Sequence, residues 1–294
     1  MTTEPTDLDE DPEVKALNEK ADAVLEQYRT TPPLPEVLYH YTSLDAALLI
    51  IPERTMWCSN VVYANDPAEA TYSHGVLDEV ADTDRQLRLQ GLRAVLTELD
   101  CYAISFSAAG DLLPQWRAYC RNGRGVAIGV DTDVLRRRSK LILMRVVYDR
   151  SEQRQFVKDM MDVFRAAILS ARTNTARLSR LMDALAMYLV IVRSALKSST
   201  YDSEREYRLF DVLPADRAHH GTQLDFRVSG AVVVPYFKVL LTKSNAANAA
   251  QPFHDVRTGP CLDYRIIARA LETLGVQEGL TFSTTASTVQ MRCD

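Results

Sequence analysis

Glu152 to Leu196 reads EQRQFVKDMMDVFRAAILSARTNTARLSRLMDALAMYLVIVRSAL, and its periodicity decides how the rest of the chain is organised. Phe156, Met160, Phe164, Ala167 and Ala171 step by three or four positions. So do Leu178, Leu181, Leu185, Tyr188, Val192 and Leu196. Such steps gather side chains on one face of a helix, so the spacing predicts a helical hairpin over about 152–198, joined near Thr173-Asn174. On both sides β-favouring runs take over, Ile142 to Tyr148 before it and Glu206 to Leu213 after it. Upstream strands are expected at Val37–Tyr41, Met56–Cys58, Tyr102–Ser107 and Gly125–Val130. Downstream ones are expected at Ala231–Phe237, Val239–Thr242 and Thr281–Arg292. Further helices are expected after Ser43, over Ala68–Leu99 with a break near Thr83 or Gly91, and over Cys261–Leu274, with Asp111–Gly123 as loop and turn. Strands this far apart must pair around inserted helices, which makes the class α+β.

Residues 1–36 are expected to form a mobile acidic tail, a helix from Pro12 to about Tyr28 and the proline-rich linker Thr31-Pro32-Pro33-Leu34-Pro35. Residues 37–294 then form a single domain. The 294 residues are 47% hydrophobic and 25% charged, the proportions of an ordinary globular protein. Thirty-nine acids against 34 bases leave a net charge of −5, which argues against a broad electrostatic grip on nucleic acid. The longest aliphatic runs, such as Leu189 to Val192, are too short to span a bilayer, and MTTEPTDLDEDPE has neither the basic nor the apolar part of a secretory signal. Cysteines 58, 101, 120, 261 and 293 form no C-x-x-C pair, so reduced thiols, no metal and a cytoplasmic address are expected.

Four clusters carry polar chemistry. His40 ends a strand between Tyr39 and Tyr41, just before Thr42-Ser43, where a side chain points into a cleft or closes a core. Glu204, Glu206 and Arg208 alternate with Arg205 and Tyr207, so two carboxylates repel unless Arg208 or a ligand compensates. A solvated edge strand would look the same. Gln115-Trp116-Arg117-Ala118-Tyr119 sets a guanidinium between two aromatic rings, suited to phosphate and to stacking, though a tryptophan there also serves as a core anchor. Asn65-Asp66-Pro67 reads as a turn and helix cap before Glu69. Gly123, Gly125 and Gly129 run into a strand instead of opening a helix, so they read as a turn and not as a dinucleotide fingerprint. His74, His219, His220 and His254 sit in polar surroundings.

These clusters, in this order, resemble a large bacterial family catalogued as domain of unknown function 2971. The resemblance rests on Leu38–Ser43, Trp57 and Ser59, Asn65–Pro67 with Glu69, Ile104–Ser107, Gln115–Tyr119, Gly123–Gly129, Val147-Tyr148 and Glu204–Arg208, and it runs over roughly 37–290. Tyr201 departs from it, where the family pattern has tryptophan. More distantly, the early His40-Tyr41-Thr42 strand and the late Glu204-x-Glu206 pair are similar to the ADP-ribosyltransferase superfamily. That resemblance implies a split, mostly antiparallel β-sandwich with NAD as substrate in a central cleft. It implies that His40, with Tyr41 and Thr42, positions a ribose and that Trp57, Tyr63 or Tyr119 stacks on nicotinamide. Arg117 would neutralise the pyrophosphate, Glu206 would be catalytic and Glu204 would orient a macromolecular acceptor. Two other readings stay open. One is a metal-dependent phosphodiesterase or nuclease using His40, Asp66, Glu69, Glu204 and Glu206. The other is a non-catalytic binding module in which Trp57 and Trp116 are core anchors.

Overall fold

The computed structural model describes residues 11–63, 67–83, 96, 99–137, 141–214, 223–229, 231–241 and 251–293. Its organising element is the strand β3 (Leu99–Ser107). One edge of β3 pairs along its whole length with β6 (Glu206–Pro214), from Leu99 opposite Pro214 to Ser107 opposite Glu206. The other edge is shared. β1 (Val37–Ser43) meets it at Tyr39 opposite Ser107, and β2 (Thr55–Asn60) at Ser59 opposite Ala103 and Asn60 opposite Tyr102. Continued inward, both registers would bring a residue opposite Ser105, Tyr41 from β1 and Trp57 from β2. One edge accepts one partner, so the two strands diverge and the sheet forks over Ile104 to Phe106.

From β1 the sheet continues through β4 (Gly125–Asp131) and β9 (Phe253–Thr258) to β10 (Ser283–Ala286). From β2 it continues through β8 (Val232–Leu240) to β7 (Asp225–Ser229), while β5 (Ile142–Arg145) lies beyond β6. Every pairing is antiparallel except β9 with β10. The architecture is therefore α+β around a mostly antiparallel open sheet.

Several elements differ from expectation. The runs at 231–237 and 239–242 are one strand, β8, which pairs with β7 over its first half and with β2 over its second. Neither β7 nor β9 is foreseen by the sequence reading. The last expected strand shortens to β10 because the chain beyond it turns to Asp111, whose carboxylate accepts hydrogen bonds from Ser287 Oγ and from the Thr288 amide and hydroxyl. The turn expected at Gly123 is there: Gly123 has φ +79 and leads into β4, which is buried up to Val130.

Among the described residues the α-helices include α1 (Pro12–Thr30), α2 (Leu44–Glu53), α3 (Pro67–Thr83), α4 (Leu113–Tyr119), α5 (Thr132–Arg136), α6 (Arg150–Ser170), α7 (Thr175–Ser194) and α8 (Tyr264–Gln277). α6 and α7 form the expected hairpin, and Asn174 caps α7 by accepting from the Arg177 amide. α1 belongs to the same core: its Val14, Leu17 and Leu25 are buried with Phe156, Phe164 and Leu185, and Tyr28 stacks on Phe156 with ring centroids 3.9 Å apart. A second core gathers Leu38, Ile51, Met56, Ile128 and Leu209. Cys261 and Cys293 are joined in a disulfide with their Cα atoms 5.4 Å apart, which overturns the expectation of reduced thiols at these two positions. They are 32 positions apart, and sequence spacing alone does not reveal such a pairing. Among the described residues no helix is long and apolar enough to cross a membrane. The expected break at Gly91, the Asn65-Asp66 cap, and His219 and His220 lie outside the described residues.

Candidate functional site

The fork opens into a cavity of about 440 Å³, within the range of about 300–1,000 Å³ typical of small-molecule sites. Ala103 to Phe106 of β3 form part of its wall, beside His40 and Thr42 from β1. β2 contributes Trp57 and Ser59, and the Ser199–Glu204 turn and β6 contribute Glu204, Glu206 and Arg208. Strand alternation explains the β2 wall. Met56 and Cys58 are buried in the second core, so Trp57 and Ser59 fall on the other face. Trp57 is stacked against Tyr236 at 4.7 Å between centroids. Three exposed rings, Tyr63, Tyr119 and Tyr201, complete the lining.

The fork leaves Ser105 without a strand partner on its open edge, and His40 takes up its carbonyl: Nδ1 lies 2.9 Å from the Ser105 oxygen. A carbonyl only accepts, so Nδ1 carries the hydrogen and Nε2 of the neutral ring is left as an acceptor. Burial pushes the His40 pKa down, the bond to Ser105 opposes this, and the nearby Arg227 charge adds to the depression.

Glu206 is 5% exposed and sits in an ion network. Arg208 Nε donates to Oε1 at 2.7 Å and a terminal Arg208 nitrogen to Oε2 at 3.0 Å, while Lys197 donates to Oε2 at 2.9 Å. Lys197 also donates to Glu204 at 2.7 Å and lies 5.0 Å from the centroid of the Tyr201 ring. Burial alone would raise the Glu206 pKa, but Arg208 and then Lys197 hold it down at about 2. The expected repulsion between the two carboxylates is thus cancelled by a cation shared between them. Glu204 reaches Lys197 by a different route from the strand alternation first read. It belongs to the Ser199–Glu204 turn, and a left-handed Arg205 (φ 48) separates it from β6. Ser107 Oγ anchors this turn by donating to the Glu204 carbonyl at 2.7 Å.

His40, Tyr41, Thr42, Trp57, Tyr63, Tyr119, Glu204 and Glu206 all line the one cavity. The side chain of Tyr41 is nonetheless mostly structural: it packs edge-on against Trp116, and its hydroxyl donates to the Ala109 carbonyl and accepts from the Leu112 amide. Arg117 is a correction. Of the loop or short helix that the sequence allows around this cluster the structure has the helix, α4, whose inward side carries Gln115, Ala118 and Tyr119 at steps of three and four, which turns Arg117 outward to solvent and out of the lining. Trp116 is a core anchor, fully buried, with its indole N–H donating to Asp111 at 2.8 Å. Lys197 and Arg227 are cavity residues that the sequence reading missed. Lys197 follows a long apolar helix with no local pattern to mark it, and Arg227 lies on the unforeseen β7.

The five charged residues of the lining are Lys197, Arg208, Arg227, Glu204 and Glu206, three cations against two carboxylates, a net charge of +1 with His40 neutral. The donor set for a metal is poor. Asp66 lies outside the described residues, Glu204 and Glu206 are engaged by cations, and among the described residues no group of three or more His, Cys, Asp or Glu is placed to hold one.

Residues 115–209 match the profile of the family described as Protein of unknown function (DUF2971). The matched span carries Gln115, Tyr119 and the whole Lys197–Glu204–Glu206–Arg208 network, whereas His40, Trp57 and Arg227 lie outside it. No curated protein and no solved structure matches the chain.

Proposed function

We propose that this chain, placed by residues 115–209 with a family whose description names no activity, binds NAD as substrate in the fork of its sheet and transfers ADP-ribose from it. One observation carries the reading. His40 from β1 and Glu206 from β6, on opposite edges of β3 and remote in sequence, wall a single cavity lined with aromatic rings.

The chemistry suits these groups. Breaking the bond between nicotinamide and ribose C1′ sends its electron pair away with nicotinamide and leaves an oxocarbenium-like centre, as in glycoside hydrolysis. An acceptor nucleophile then bonds to C1′ and loses its proton to water. Glu206 is ionised at neutral pH, and its Oε1 takes one hydrogen bond, from Arg208, which leaves a second acceptor position for a ribose hydroxyl. The Arg208 fork and Lys197 hold the carboxylate in one rotamer, so it needs no reorganisation as positive charge develops on the sugar. His40 Nε2 accepts from a further sugar hydroxyl, and Trp57, Tyr63 or Tyr119 offers a ring face for nicotinamide. Glu204, fixed through Lys197, orients the acceptor.

The test is nicotinamide release from NAD by wild type and Glu206→Gln, with affinity for NAD measured by calorimetry. Loss of the carboxylate is expected to slow release by a few hundredfold, on the order of 3 kcal/mol. Equal rates remove Glu206 from the mechanism, and wild-type protein that neither binds nor cleaves NAD ends the reading.

A further inference from the structure

Arg227 sits on β7, where Phe226 and Val228 are exposed (67% and 76%) and Arg227 and Ser229 line the cavity. The strand thus turns its cation inward and its apolar side chains out. Across the cavity, Lys197 and Arg208 are engaged by Glu204 and Glu206, while Arg227 has no carboxylate within ion-pair distance among the described residues. One terminal nitrogen of Arg227 donates to Ser59 Oγ at a long 3.4 Å, and its Nε is buried with no acceptor. Burial presses its pKa down, so the charge is held against a desolvation cost. The net +1 of the lining is therefore located at Arg227, close enough to His40 to disfavour a second positive charge there.

We propose that Arg227 is the anion anchor of the cavity and that it selects phosphorylated ligands, nucleotides over nucleosides. A guanidinium offers forked donors that match two oxygens of a phosphate, which would satisfy Nε and a terminal nitrogen together. The rings next to it, Trp57 stacked on Tyr236, suit the planar base that such a ligand carries. β7 is four strand positions from β6, through β8, β2 and β3, so the strands carrying Arg227 and Glu206 lie roughly 19 Å apart laterally on an unbent sheet. The anchor therefore grips a different part of the ligand from Glu206. The identity of the remaining ligand, and with it the choice of nicotinamide probes, rests on the NAD reading.

Calorimetry on the full chain with nicotinamide mononucleotide and nicotinamide riboside, which differ only by the phosphate, tests this. Wild type is expected to prefer the mononucleotide at least tenfold. Arg227→Met is expected to bring the two affinities together with the riboside unchanged, and Arg227→Lys to keep part of the preference because an ammonium cannot fork. Should Arg227→Met fail to fold, the Lys variant decides, and an undiminished preference in it overturns the assignment. So does an unchanged preference in Arg227→Met, a wild type that binds both ligands alike or neither, or competition by malonate as strong as by pyrophosphate. Nicotinamide release from NAD is followed in parallel. A phosphate preference lost with Arg227 but no NAD cleavage keeps the anchor and ends the transferase reading; cleavage with an unchanged preference does the reverse.

Discussion

Glu206→Gln also removes the one cavity carboxylate whose titration can be followed as protein stability. In the folded chain its pKa is about 2 against an ordinary 4.5, because Arg208 and Lys197 outweigh the burial that would raise it. Between these values the unfolded chain binds more protons than the folded one, so stability rises with pH across that window. The contribution is complete above the unfolded value and disappears as pH falls toward the folded one. A drop from 4.5 to about 2, at about 1.4 kcal/mol per tenfold change in proton affinity, amounts to about 3 kcal/mol. Glutamine cannot ionise, and it takes from Arg208 the carboxylate it forks onto while Lys197 keeps Glu204; removing one partner of a buried ion pair costs about 3–5 kcal/mol. Urea unfolding of wild type and variant, followed through Trp57 and Trp116, is measured from about pH 7 down to about pH 3. The difference between the two proteins cancels the other titrating groups. It is expected to be constant above about pH 5 and to shrink steadily below it. A difference that stays flat through the acid range would falsify the ionised, doubly paired state of Glu206.

Two further outcomes test the frame around the cavity. A Cβ at Gly125 would run into the Thr42 carbonyl oxygen of β1, which is backbone and has little freedom to yield. Gly125→Ala is therefore expected to lower stability by about 1–3 kcal/mol in urea unfolding and to weaken ligand binding by displacing the Thr42 wall; wild-type stability would show that β1 and β4 are less closely apposed. The Cys261–Cys293 bridge closes a loop of 32-residue separation, and chain entropy sets its worth at about 3–4 kcal/mol. Thiol titration of the denatured, unreduced protein should find the three free cysteines 58, 101 and 120, and Cys293→Ser should unfold at lower urea; five free thiols would refute the bridge.

How far the sequence could be read depended on whether the deciding contact was local. The α6–α7 hairpin was legible because a helix repeats its buried face every three or four residues, and one stretch of chain holds the whole signal. Arg117 shows a local limit as well: the sequence allows a loop or a short helix there, and only the helix fixes which way the side chain turns. β7 shows a deeper limit. Alternation in Asp225–Ser229 separates Phe226 and Val228 from Arg227 and Ser229, and hydrophobicity would bury the first pair, but the fold exposes it and turns the second, half-buried, toward the cavity.

What the chain's own order of residues determines here is the α+β class, the long helices, the strands β1 to β6, and the polar clusters around His40 and Glu206. Only the tertiary structure decides that those clusters share a cavity. The fork exists because two strands from separate parts of the chain would compete for the place opposite Ser105, and neither register is written near the other. The charge state of Glu206 likewise depends on Lys197 arriving from the end of another element, and the cavity's unshared positive charge on which face of β7 turns inward. Pairing register and charge compensation are long-range properties, so neither leaves a mark in a window of neighbouring residues.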